Sequence, residues 1–262
     1  MKIVAVANQK GGVGKTTTAV NLAAALAEAG RPVVLLDLDP QANASSALGI
    51  EAVPGRSIYP VLTGGPGLRS LAEQIQPSAF ANLGIVAAEE DLAGVEIELV
   101  DEDLVSRLTR LRRVTEDYRR SGPATEFLFI DCPPSVGVLM TNALASADSI
   151  LVPLQCEYLA MEGLAKILGN IERIRQASGN HALALEGIVL TMYDARTNLS
   201  QQVVNDVREN LGASVFETII PRSIRLGEAP SHGKPITAYD PAGMGAQSYR
   251  QLAVEFLRRQ PK

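Results

Sequence analysis

The stretch Val6–Thr18, "VANQKGGVGKTTT", decides how the chain is read. A common phosphate-loop pattern is Gly, four residues, then Gly-Lys-Ser/Thr. Gly14, Lys15 and Thr16 supply its end, but Gln9 stands where the first glycine belongs, and a second lysine, Lys10, sits beside it. The setting is still the one that phosphate binding requires. "KIVAVA" (2–7) reads as a strand, and the Ala-rich "KTTTAVNLAAALAEAG" (15–30) as a helix ended by Gly30. Between them Gly11, Gly12 and Gly14, with Val13 in the same turn, let backbone N–H groups converge on an anion at a helix N-terminus. Lys15 is then expected to reach the β and γ phosphates, the Thr16 hydroxyl to ligate Mg²⁺ directly, and Thr17 to bond the α phosphate.

Outward from this loop, strand-length apolar runs alternate with helical patterns. Strands are expected at 32–40, 82–88, 127–134, 149–155, 186–191 and 215–220. Helices are expected at 103–120, 137–147, 160–177, 199–211 and 245–259. Continuous Val/Ile/Leu runs alternating with helices imply an α/β fold: a doubly wound, mostly parallel sheet with helices on both faces. Residues 51–81, rich in Gly and Pro, are the least readable part. With no internal repeat or low-complexity linker, 262 residues suit a single domain, 1–262.

A composition of 46% hydrophobic and 20% charged residues is that of a soluble globular chain. The net charge of −5 argues against a uniformly basic nucleic-acid binder but leaves room for a local basic patch. Cys132 and Cys156 lack CxxC spacing and sit in apolar surroundings, which fits a reducing cytoplasm. The opening "MKIVAVANQ" reads as a strand running into a polar loop, so no signal sequence is expected there, and no apolar run has spanning length.

Three carboxylates stand at ends of apolar runs. Asp37 and Asp39 close the second strand at alternate positions, which predicts a shared face at the ligand-binding edge of an open sheet. Asp131 ends "FLFI" as a Walker B carboxylate does, placed to hold a Mg²⁺-bound water. Lys10 has two readings. It is a solvated lysine, or it crosses a two-fold interface to stabilise charge on a partner's nucleotide, as an arginine finger does.

"KGGVGKTT" resembles the deviant Walker A motif of the ParA/MinD superfamily of ATPases, in which the early lysine is the signature residue. "NQKGGVGKTTTAVNLAAALA", "LLDLDPQANAS", "FIDCPPS", "PLQCEYLAMEGL", "YDARTNLSQQV" and "PRSIRLGEAPSHGKPI" are similar to the ParA/Soj chromosome-partitioning branch. The resemblance leaves mainly 51–125 unsupported. It implies a P-loop NTPase fold, with ATP and Mg²⁺ as cofactors and Lys10, Lys15 and Asp39 as catalytic residues. Asp39 matches the family aspartate that positions the attacking water, with a water-mediated metal contact as a further role. Pro221 and Arg222 are expected against the adenine, and Arg196, Arg222, Arg225, Lys234 and Arg250 on a DNA-binding surface. Lacking a helix-turn-helix or stacking platform, such binding should be directed at the backbone of double-stranded DNA.

The resemblance further implies an ATP-dependent homodimer and weak hydrolysis stimulated by a ParB-like, centromere-bound partner. The expected place is the cytoplasm, on the nucleoid. A MinD-like membrane-cycling regulator is the alternative, and would need the apolar residues of the last helix, Leu252, Phe256 and Leu257, to be free. Positioning of another cytoplasmic cargo also stays open. An iron–sulfur ATPase would need Cys132 and Cys156 at a dimer interface.

Overall fold

The computed structural model describes residues 1–53, 55–64, 70–158 and 160–260. Parts of the unreadable 51–81 stretch, residues 54 and 65–69, and Leu159 of the quoted "PLQCEYLAMEGL" therefore lie outside the described residues.

Eight strands form one sheet: β1 Lys2–Val6, β2 Val33–Asp37, β3 Gln76–Pro77, β4 Leu83–Val86, β5 Phe127–Asp131, β6 Ser149–Gln155, β7 Ala184–Tyr193 and β8 Val215–Pro221. Their order is β3-β4-β2-β5-β1-β6-β7-β8. Every neighbouring pair is parallel except β3 with β4, so the expected parallel sheet carries one short antiparallel edge. That edge and the short helices Tyr59–Thr63 and Leu71–Gln74 occupy the stretch with no readable period.

Strand alternation divides the core into two layers. Ile3, Val34, Leu36, Leu128 and Ile130 face one layer, and Val4, Val6, Val33, Leu35 and Phe129 the other. Helix α1, Lys15–Glu28, buries Ala19, Ala23 and Ala27 at four-residue spacing. Small side chains on that stripe let the helix lie close over the sheet. It ends where Gly30 takes φ 81°, with Gly30 N donating to Ala27 O and Arg31 N to Leu26 O.

The C-terminal helix, Met244–Arg259, closes the α1 layer. Phe256 is fully buried, its ring 5.4 Å from Phe127 and 5.6 Å from Phe129, and Leu252 is buried beside it. Burial of an aromatic pair at these separations draws both on area and on ring geometry. The apolar face of this helix is thus used by the core. Among the described residues, no helix is long and apolar enough to cross a membrane.

The topology also positions the site. β1 lies between β5 and β6; the chain runs from β1 toward β2 on one side, and after β5 crosses to β6 on the other. The carboxyl end of β1 is the switch point at which open α/β sheets bind ligands.

Candidate functional site

The loop after β1 is held open by glycine. Gly12 has φ 75° and Gly14 has φ 86°, the left-handed region that favours a residue without Cβ. Gly14 is the residue from which α1 starts, and its carbonyl accepts from Thr18 N at 2.9 Å. Two polar side chains clamp the turn from outside: Asn8 Nδ2 donates to Pro153 O at 2.8 Å, and Thr191 Oγ1 donates to Val13 O at 2.9 Å. Lys15 is buried within, its Nζ donating to Lys10 O at 3.3 Å. Burial pulls the Lys15 ammonium below its usual value, opposed by Asp131, Cys132 and Asp39. An anion beside it would restore the charge that burial penalises.

Lys10 points elsewhere. Its Nζ forms an ion pair with Glu157 of the same chain, just beyond β6. Thr16 and Thr17 lie half-buried on the first turn of α1.

The carboxylates have different surroundings. Asp37, the last residue of β2, is fully buried and pairs in register with Asp131 of β5. It accepts from Ser45 N at 2.8 Å, Ser45 Oγ at 2.7 Å and Asp39 N at 3.2 Å, which ties β2 to the short helix α2, Asn43–Ala47. Burial nevertheless raises its pKa to about 6, against the pull of these bonds. Asp39 lies past the strand end, so the alternation argument stops at Asp37. Its Oδ1 accepts from Gln41 N at 3.0 Å.

Asp131 is fully buried, and neither carboxylate oxygen has a hydrogen-bond partner among the described residues. Burial pushes its carboxyl well above the usual range and Asp37 and Asp39 add repulsion, while Thr16 and Lys15 oppose the rise. A buried carboxylate without partners is costly unless a cation or donor completes it. The donor set therefore fits a divalent cation near Thr16 and Asp131. Among the described residues no group of three His, Cys, Asp or Glu side chains is placed to hold a metal ion by itself, so such an ion would take most of its ligands from phosphate and water.

A cavity of about 250 Å³ adjoins the loop, lined by Gly14, Thr17, Met192, Pro221, Arg222 and Tyr249 among others. It brings the C-terminal pair Pro221 and Arg222 beside the phosphate cradle. A larger cavity of about 680 Å³, along the helix Leu104–Arg120, shares no residue with that cradle.

The five basic candidates do not share one environment. Arg196 is exposed and doubly hydrogen-bonded to Asp194, at 2.9 and 2.7 Å, and Arg222 also lies in that carboxylate's field. Arg225 pairs with Glu228 at 2.9 Å. Arg250 grips Glu28, at the far end of α1 from the loop, at 2.7 and 2.9 Å. Arg222 and Lys234 are exposed, with no ion pair among the described residues. Cys132 and Cys156 are both buried free thiols in the same core layer, their pKa values raised by burial. Three supporting residues carried no sequence signal of their own: Asn8, Thr191 and Glu157, the last standing unremarked in "PLQCEYLAMEGL".

Fold and loop together define a P-loop nucleotide-binding protein of the deviant Walker A class. A family model described as an AAA domain matches residues 1–185. The chain is 47% identical over 261 residues to the chromosome partitioning protein ParA of Caulobacter vibrioides, covering 99% of this chain and 95% of that one. It is 48% identical over 255 residues to the sporulation initiation inhibitor protein Soj of Bacillus subtilis, covering 97% of each. Among solved structures, cobyrinic acid a,c-diamide synthase from Mycobacterium smegmatis, with bound ADP and magnesium, superposes with a TM-score of 0.82 at 35% identity, over 98% of this chain and 94% of that one. The chain belongs to the ParA/Soj family of chromosome-partitioning ATPases.

Proposed function

We propose that residues 1–262 act as one ATP-driven dimerisation switch: the chain pairs on binding Mg-ATP, holds double-stranded DNA without sequence preference, and lets go after hydrolysis. A ParB-like partner bound at a centromere would accelerate turnover, and the cycle would run in the cytoplasm on the nucleoid. The observation that carries the nucleotide reading is Asp131, buried beside Thr16 and Lys15 and without a hydrogen-bond partner among the described residues. Relatives support the cofactors: the M. smegmatis structure holds ADP and magnesium.

In this reading the backbone of Gly11–Gly14 cradles the phosphates and Lys15 neutralises the β and γ groups. Thr16 would ligate Mg²⁺, with Asp131 and Asp39 reaching it through water; the ion would offset charge on the transferring phosphoryl group. Asp39 orients the attacking water. Lys10 serves the nucleotide of the second subunit, so that hydrolysis waits for the dimer. Pro221 and Arg222 border the base. Burial of Leu252 and Phe256 favours this reading over membrane cycling.

The test is mass by light scattering on Asp39→Ala, which should trap the ATP state. A dimer with Mg-ATP and a monomer with Mg-ADP is expected. A monomer under both conditions contradicts the proposal.

A further inference from the structure

We infer that Glu157 is a positioning residue for Lys10, holding it within its own chain until a second subunit's phosphates draw it away. The inference rests on the role proposed above for Lys10.

The local geometry makes this specific. Two lysines flank the glycine turn, and the chain separates them. Lys15 is drawn inward, its Nζ on the Lys10 carbonyl, and faces Asp131 and Asp39. Lys10 turns outward, and its side chain stays about half exposed while pairing with Glu157. Its backbone is fixed from behind, since Lys10 N donates to Asn8 Oδ1 at 2.9 Å and Asn8 is itself tied to Pro153 of β6.

Glu157 is anchored equally well. Glu157 N donates to Gln155 O at 2.9 Å, and its carbonyl accepts from Ala160 N at 3.0 Å at the start of the helix Ala160–Ser178. These bonds use the backbone, so exchanging the side chain leaves them in place. The neighbouring Tyr158 is 83% exposed, which puts the pair at an open edge where another chain has access. A lysine that serves another subunit's phosphates cannot keep this carboxylate as its partner. The pair thus opposes dimerisation and sets the ATP concentration at which it occurs, while leaving the chain's own phosphate cradle untouched.

The experiment measures dimer fraction against Mg-ATP concentration in an Asp39→Ala background, for Glu157, Glu157→Gln and Glu157→Asp. Removing a half-exposed ion pair should lower the ATP needed for half-dimerisation by about two- to fivefold in Glu157→Gln. Glu157→Asp, which keeps the charge, should stay nearer the parent. The gap should shrink as salt is raised, because the pair is screened. Mg-ADP affinity of the monomer should not move, and Lys10→Ala should abolish the benefit of Glu157→Gln. An unchanged or higher ATP requirement in Glu157→Gln, with the parent dimerising normally, overturns the role of Glu157 alone. A parent that fails to dimerise, or a Lys10→Ala chain that dimerises normally in this background and turns over normally with Asp39 intact, overturns the proposed function and this inference together.

Discussion

The centre of the sheet's carboxyl edge and its β8 end are built on opposite principles. Around β1, β2 and β5, charged groups are buried at a cost: Asp131 has no hydrogen-bond partner among the described residues, burial raises the pKa of Asp37 to about 6 despite its three hydrogen bonds, and burial lowers that of Lys15. Beyond β7 and β8, charged groups are exposed and mostly answered from within, as Arg196 is by Asp194 and Arg225 by Glu228. The first region carries a standing electrostatic cost that a bound phosphate and cation relieve. The second has little unmet charge, so a DNA phosphate there must compete with the chain's own carboxylates. One region should therefore respond to mutation by large factors and the other by small, salt-dependent ones.

The sharpest way to test this contrast is at Lys15. Lys15→Ala should lower ATP turnover by about a thousandfold, since a preorganised cation on the phosphates acts in a water-poor site. A loss below about tenfold, measured by steady-state phosphate release, would remove the distinction between the two regions.

Asp131→Asn comes next and should split stability from function. The folded pKa of Asp131 is raised, so ionisation is easier in the unfolded chain. Its contribution is therefore favourable at low pH and is lost as pH rises above the ordinary carboxylate range. Asp131→Asn should escape that loss, making the nucleotide-free chain more stable by about 1–3 kcal/mol at pH 7, with a smaller gain near pH 4. The same variant should lose most Mg-dependent turnover. Thermal melts across pH, paired with turnover, check both halves.

The smallest effects belong to the basic end. Arg222→Glu should weaken ATP-dependent DNA retention several-fold, and a lost phosphate contact should reduce the salt slope by about 0.9. Asp194→Asn should free Arg196 and tighten retention by about two- to threefold. Filter binding across a salt series separates the two. Unchanged or weaker retention in Asp194→Asn would show that the intrachain carboxylates do not compete with DNA.

Legibility followed the same division. The phosphate loop, α1 and β5 could be read because glycine spacing, alanine periodicity and an apolar run ending in Asp131 are local properties of the chain. The parallel, doubly wound sheet could be read from the same alternation of runs and helices, but the strand order that puts the switch point at β1 could not, because strand pairing is a long-range property. Asp39 was only half legible, because β2 stops at Asp37 and the turn that places Asp39 depends on Ser45 and α2. Residues 51–81 hide a two-residue antiparallel strand and short helices, too brief to show a period. The partners of the arginines were invisible, since Glu28 meets Arg250 from the other end of the chain. Glu157 was missed for a related reason: its partner Lys10 comes from a distant turn.

The most direct test of the central claim is retention of non-specific double-stranded DNA by the purified chain with Mg-ATP, with Mg-ADP and without nucleotide, each at low and moderate salt. The account predicts binding with ATP alone, falling steeply as salt rises. Equal binding in all three nucleotide conditions, or binding indifferent to salt, would contradict it.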